Sequence, residues 1–133
     1  MRLAAILFLA LAIWGCSGGI GGTYSASVEP LGEKKLNDPQ YSLEEVQKRL
    51  AQSPRKLHIE GPKFRTSEGD RTIWEGTWRK EGDKLILRAT RVQGIDVLEK
   101  LQQDYELKAL PDGRFADDGV YGGYGLRVVF KKE

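Results

Sequence analysis

The sequence predicts a mainly β fold: a small up-and-down antiparallel β-barrel of about eight strands, with one amphipathic helix after the first strand. From Lys56 onward, apolar residues alternate with polar ones, which is the period of strands that bury one face. Tight-turn sequences, such as Gly69 with Asp70 and Gly82 with Asp83, separate these runs as they do between antiparallel neighbours. Closing such a sheet into a barrel removes both of its exposed edges.

The chain begins with a segment typical of protein export. Residues 3–14 carry no charge and follow Arg2, but they are too few to cross a bilayer core of about 30 Å as a helix. We therefore predict that residues 1–15 are a signal peptide.

The end of this segment resembles the lipobox of bacterial lipoproteins. Ile13 and Gly15 occupy its aliphatic and small positions, Cys16 occupies the position of the lipidated cysteine, and Trp14 stands where a small residue is usual. Cys16 is the only cysteine, so it cannot form an internal disulfide. The resemblance implies lipidation at Cys16, a membrane partner through that anchor, and export to the cell membrane. Ser17 implies the outer membrane if the host has one. The alternative is an ordinary signal peptide with a leftover cysteine.

The first part of the mature chain is expected to be a tether, a strand and a helix. Residues 16–22 comprise Cys16 and a glycine-rich tether, and the barrel domain is predicted to span residues 23–133. Ser42 is the expected N-cap of the helix, with Glu45 completing a capping box. An apolar stripe then faces the barrel, and Pro54 ends the segment. Tyr41 and Val46 are expected to form a hydrophobic staple beside the cap. The apolar stripe consists of Leu43, Val46 and Leu50.

The remaining strands follow from the alternation. Their expected inward positions are Leu57, Ile59, Phe64, Thr66, Trp74, Gly76, Trp78, Leu85, Leu87, Ala89, Tyr105, Leu107, Ala109, Phe115, Leu126, Val128 and Phe130. Residues 95–103 interrupt the strands. Either Asp96 caps a short helix there, or the segment is a long excursion without a helix.

The order of these elements is similar to that of the lipocalin-like lipoproteins and secreted domains of bacteria. The residues that carry the resemblance are GTY at 22–24, GTWRKEGDKLIL at 76–87, PDGRF at 111–115 and LRVVF at 126–130. The GTY has tyrosine where the lipocalin signature has tryptophan. The resemblance implies a barrel over residues 22–132 that accommodates a small apolar ligand.

Two functions remain open at this point. In the first, aromatic side chains inside the barrel contact a small apolar ligand, and the candidates are Phe64, Trp74, Trp78 and Tyr105. In the second, the barrel is filled and acts as a structural or partner-binding protein of the cell envelope. The candidate contacts for such an envelope protein are the amphipathic helix and two tyrosines in a glycine-rich loop, Tyr121 and Tyr124. Gly76 leaves a gap between Trp74 and Trp78 that could admit a bulky neighbour or part of a ligand.

The residue content disfavours several other chemistries. His58 is the only histidine and alternates with apolar neighbours, so we expect it on the wet face rather than in a catalytic triad or a zinc site. Asp117 and Asp118 lack the spacing of an EF-hand. With 21 basic and 19 acidic residues dispersed along the chain, nucleic acid is not an expected partner. We expect no enzymatic activity, no metal and no cofactor.

Overall fold

The computed structural model describes residues 19–133, and Cys16 with the predicted signal peptide lies outside them. The described chain contains nine strands and one α-helix, with short 3-10 turns at Pro39–Tyr41, Glu99–Leu101 and Gly122–Tyr124. The strands are β1 Gly22–Pro30, β2 Arg55–Glu60, β3 Lys63–Glu68, β4 Arg71–Glu81, β5 Lys84–Val92, β6 Ile95–Asp96, β7 Asp104–Ala109, β8 Phe115–Asp117 and β9 Leu126–Lys132. The helix, α1, is Leu43–Gln52.

Eight of these strands close into an antiparallel barrel, which confirms the predicted fold class. Their hydrogen-bonded order is β1, β2, β3, β4, β5, β7, β8 and β9, and β9 pairs back with β1. Strand β6 adds only two residues to the edge of β5. Most of the predicted inward positions form one buried cluster, which includes Leu57, Leu85 and Val128, while Leu126 belongs to a second cluster and Tyr105 is partly exposed. The opposite face is not uniformly wet, because Ile86, Ala116 and Val129 are buried there as well.

Helix α1 begins and packs as the sequence predicts. The backbone N–H of Glu45 donates to Ser42 Oγ at 3.3 Å, so Ser42 is the N-cap. Val46 is buried against Val28 and Leu126, and the other members of the stripe, Leu43 and Leu50, pack around the same cluster. Because Val28 and Leu126 lie at the end of the barrel where β1 finishes and β9 begins, the helix covers that part of the opening.

The segment at residues 95–103 does not form the short α-helix that was one expectation; it is an excursion between strands that starts with a two-residue strand, β6. Gln93 and Gly94 adopt positive φ angles of 49° and 80° and form a tight hairpin turn between β5 and β6. Asp96 therefore pairs with Arg91 across the hairpin, at 3.0 Å, instead of capping a helix. The helical part is reduced to the 3-10 turn at Glu99–Leu101.

The folded part begins before the predicted boundary at Thr23. Strand β1 starts at Gly22, which pairs with Ile59, and Ile20 packs against the core. The hydroxyl of Tyr24 donates to the carbonyl of Ile20 at 2.6 Å, and burial raises the pKa of this tyrosine. The second half of the glycine-rich segment is thus held on the barrel.

Candidate functional site

The two ends of the barrel differ. One end, which we call the mouth, contains the β3–β4 turn, the start of β7 and the end of β8, and helix α1 covers part of it. The other end, the base, contains the β2–β3 and β4–β5 turns together with Gly22, where the chain enters the barrel. This division follows from the antiparallel register and decides where a ligand could enter.

A cavity of about 560 Å³ opens at the mouth. Its volume is within the range of about 300–1,000 Å³ that is usual for small-molecule sites. Apolar side chains make up most of the lining surface, and charged residues at the ends of strands line it as well. The apolar lining residues are Leu57, Ile73, Trp74, Leu87, Tyr105, Leu107, Val120 and Phe130.

Trp74 and Tyr105 form the aromatic part of this lining. Their rings stack with centroids 4.5 Å apart and an interplanar angle of 23°. The backbone N–H of Trp74 also donates to Thr66 Oγ1 at 3.2 Å, which anchors this part of β4 on β3. Tyr105 is 39% exposed, so the stack extends from the interior to the solvent.

The structure separates the other two predicted ligand contacts from this cavity. Phe64 is 3% exposed, packs in the core and does not line the cavity. Trp78 lies toward the base, where its Nε1–H donates to the carbonyl of Gly61 at 2.7 Å. Of the four aromatic candidates, the mouth brings together Trp74 and Tyr105.

The gap at Gly76 is filled by the backbone of β5, and not by a bulky neighbouring side chain or part of a ligand, the two occupants expected from the sequence. A Cβ atom at this position would collide with the backbone carbonyl oxygen of Arg88 on β5. The pairing of β4 with β5 shifts register between Glu75 and Gly76, and this irregularity brings the two backbones close. Gly76 is therefore required by strand packing.

Charged residues at the mouth were not among the predicted site residues. Arg55 and Glu68 form an ion pair of 3.0 Å beside the cavity. Asp117, at the end of β8, accepts a hydrogen bond from the N–H of Gly119 at 2.9 Å and also lines the cavity. The alternation of side chains along a strand could have indicated Asp117, since this residue follows the inward Phe115 by two positions.

The neighbouring Asp118 has a separate role. Its carboxylate accepts two hydrogen bonds from the guanidinium of Arg127, at 2.6 and 2.9 Å. These bonds hold the pKa of Asp118 below its usual value. The two adjacent aspartates therefore point to different partners, and residues 19–133 contain no grouping of three or more potential metal ligands.

The predicted partner contacts, Tyr121 and Tyr124, lie against the segment before helix α1. Tyr124 stacks on Tyr41 with ring centroids 4.5 Å apart, and Tyr121 is 5.9 Å from the same ring. Tyr121 also packs against both buried clusters. The guanidinium of Arg49 lies 5.1 Å from the Tyr41 ring centroid. These tyrosines connect the loop before β9 to the helix.

His58 lies on the outer face of β2, at a position that is partly buried. Its Nδ1 is 3.1 Å from Thr23 Oγ1, and its Nε2 is 3.2 Å from Ser67 Oγ. Desolvation lowers the pKa of His58 below 6.5, and the positive charges of Arg65 and Lys56 lower it further. The hydroxyl partners hold the ring in place on the outer face of the sheet.

A second depression, of about 420 Å³, lies on the outer surface near His58. Its lining mixes both signs of charge. Arg91 there pairs with Asp96 at 3.0 Å and lies 4.0 Å from Glu75. Because its lining is mostly polar and charged, the depression is a weaker candidate for binding an apolar ligand than the cavity at the mouth.

Comparison of the chain with protein-family models, curated proteins and solved structures gave no match. Within residues 19–133, no helix is both long and apolar enough to span a membrane.

Proposed function

We propose that this protein binds a small apolar molecule in the cavity at the mouth of its barrel, and that it does so while anchored to the cell membrane by lipid at Cys16. The observation that supports binding is the cavity itself. It has about 560 Å³ of space, an apolar interior and the stack of Trp74 on Tyr105 at its edge.

The lining supplies a driving force for such binding. Leu57 and Phe130 form part of its apolar interior, and Tyr105 still exposes 39% of its surface to solvent. A ligand that covers apolar surface gains about 25 cal/mol for each Å² removed from water. Binding of an apolar ligand is therefore expected to protect Tyr105 and Trp74 from solvent.

The position of the chain entry fits a membrane-anchored binding protein. Gly19 accepts a hydrogen bond from Lys132 Nζ at 3.0 Å, and Ile20 packs against the core, both at the base. Cys16 lies only three residues before Gly19. A lipid on Cys16 would consequently hold the base toward the membrane and leave the mouth facing away from it.

A dye-binding titration tests the proposal. The full chain, reconstituted in phosphatidylcholine nanodiscs, is titrated with the apolar dye N-phenyl-1-naphthylamine, and the signal of empty nanodiscs is subtracted. We expect saturable binding with enhanced dye emission. Trp74→Leu should weaken binding about tenfold, because it removes one ring of the aromatic pair at the cavity.

Trp78→Leu is the matched control, since it makes the same chemical change at the base. Its dye affinity should stay within about twofold of the original protein, a difference of a few tenths of a kcal/mol. Absence of saturable binding to the unsubstituted chain would overturn the proposal. Equal losses in the two variants would place the dye outside the mouth cavity.

A further inference from the structure

We propose that the cavity selects apolar ligands that carry a cationic head group, such as long-chain amines, over those that carry a carboxylate. This inference rests on the proposed function and specifies the ligand class for the same site. It is drawn from the charges that stand around the opening and from the partners that each of them has.

Most of these charges are already compensated. Asp104 accepts hydrogen bonds from Arg79 at 3.0 Å and from Arg88 at 2.9 Å, and these bonds lower its pKa. Glu106 lies 3.3 Å from Lys84 Nζ. Both carboxylates belong to ion pairs on the outer face of the sheet, so they contribute little net field to the cavity.

Arg55 is the only lysine or arginine among the residues that line the cavity, and it is engaged. Its guanidinium donates to Glu68 at 3.0 Å, on the inward side of the β2–β3 pair. A ligand carboxylate would have to compete with Glu68 for this cation. Because Glu68 already neutralises Arg55, this cation adds little net positive field to the cavity and offers little attraction to a ligand carboxylate.

Asp117 is the exception among the charges at the cavity. It pairs with the buried Val128 across β8 and β9, which places its side chain on the inward face of the barrel. Its Oδ1 accepts from the N–H of Gly119, and within residues 19–133 no lysine or arginine forms an ion pair with it. The cavity therefore presents one uncompensated negative charge at its opening.

The surroundings strengthen the effect of this charge. Asp117 is half-buried beside the apolar lining, so its attraction for a cation is screened less by water than that of a fully exposed carboxylate. Trp74 and Tyr105 line the same cavity, and aromatic rings also attract cations. An amine with an apolar tail would satisfy both the carboxylate and the apolar interior.

Competition for the bound dye tests the inference. Dodecylamine, dodecanol and laurate share one tail length and differ in head group, and each is used below its micelle concentration to displace N-phenyl-1-naphthylamine from the full chain in phosphatidylcholine nanodiscs. We expect dodecylamine to displace the dye about tenfold more effectively than dodecanol, with laurate the weakest of the three. Added salt should reduce the advantage of the amine.

Asp117→Asn removes the charge but keeps an oxygen that can accept from Gly119, so the turn is preserved. It should abolish the preference for dodecylamine and leave dodecanol unchanged. Asp70→Asn is the matched control, because Asp70 lies in the β3–β4 turn at the same end and does not line the cavity. Its preference should equal that of the original protein.

The outcomes distinguish this inference from the function on which it rests. If the dye binds but laurate displaces it as well as dodecylamine does, the inference is wrong and the proposed function stands. If Asp117→Asn and Asp70→Asn have the same effect, the preference does not come from Asp117, and the inference is again wrong. If the dye does not bind at all, the proposed function is wrong, and the inference that rests on it is wrong as well.

Discussion

The indole of Trp74 stacks on the phenol ring of Tyr105 at a centroid distance of 4.5 Å, although strand β5 lies between their strands, β4 and β7. The contact therefore spans β5 at the mouth and joins two strands that do not pair with each other. It joins β4 and β7 beside the cavity, where both rings contribute to the lining.

A double-mutant cycle should measure this contact. Trp74→Leu and Tyr105→Leu are expected to show a coupling energy of about 0.5–1.5 kcal/mol in urea unfolding, because a stacked aromatic pair contributes that much beyond area burial. The control cycle combines Trp78→Leu, at the base, with Tyr124→Leu, whose ring stacks on Tyr41 near the opposite end, and its coupling should be near zero. Equal coupling in both cycles would contradict a specific stack.

Gly76→Ala should be among the most destabilising single substitutions in the barrel. The added methyl group would meet the backbone carbonyl of Arg88, which cannot move without disrupting the β4–β5 pairing. We expect a loss of at least about 3 kcal/mol in the free energy of unfolding. Gly82→Ala, in an open turn at φ 60°, should lose only about 1 kcal/mol. The reverse order would contradict the close approach at Gly76.

The stability of the fold should depend on the protonation of His58. Because its pKa is lower in the folded protein than the ordinary 6.5, the unfolded chain binds the proton more readily. The contribution of the neutral ring is thus complete above pH 6.5 and is lost as the pH falls through the folded pKa.

His58→Gln, which retains one donor and one acceptor for Thr23 and Ser67, should remove this dependence. Chemical denaturation of both proteins across this pH range measures the difference. The original protein should lose more stability than the variant on acidification from pH 6.5. Parallel curves would show that the environment of His58 does not favour the neutral ring.

Ile20→Ser should destabilise the barrel even though Ile20 precedes the first strand. Its side chain packs against the core, so its replacement exposes apolar contacts and should cost about 1–2 kcal/mol. Ile95→Ser is the matched control, since Ile95 is 73% exposed and the same change should cost less than about 0.5 kcal/mol. Thermal unfolding of the two variants provides the comparison, and equal melting temperatures would argue against docking of Ile20.

The lipid anchor is testable by metabolic labelling. Cells given a palmitate analogue should label the original protein and not Cys16→Ser, since Cys16 is the only cysteine in the chain. The variant should accumulate as an unprocessed or soluble exported form, because it lacks the acyl chains that hold a lipoprotein on the membrane. A free thiol at Cys16 in the purified protein would contradict lipidation.

The local pattern of the sequence determined the β-barrel, the inward positions and the start of the helix. Alternation at Leu57, Leu85 and Leu107 reports which face of each strand is buried, and Ser42 caps helix α1 through a contact within one turn. These features depend on residues that are close in the chain. They are therefore readable without knowing how the strands pair.

Only the tertiary structure decided the height of each inward residue along the barrel, and the candidate site depends on that height. Alternation places Phe64, Trp74, Trp78 and Tyr105 on one face, but strand register brings Trp74 and Tyr105 to the mouth, leaves Phe64 in the core and directs Trp78 to Gly61 at the base. Register also sets Asp117 beside the cavity and the Arg88 carbonyl against Gly76. Such contacts join residues that are distant in sequence, because closure of the barrel and the register shift between β4 and β5 fix them together.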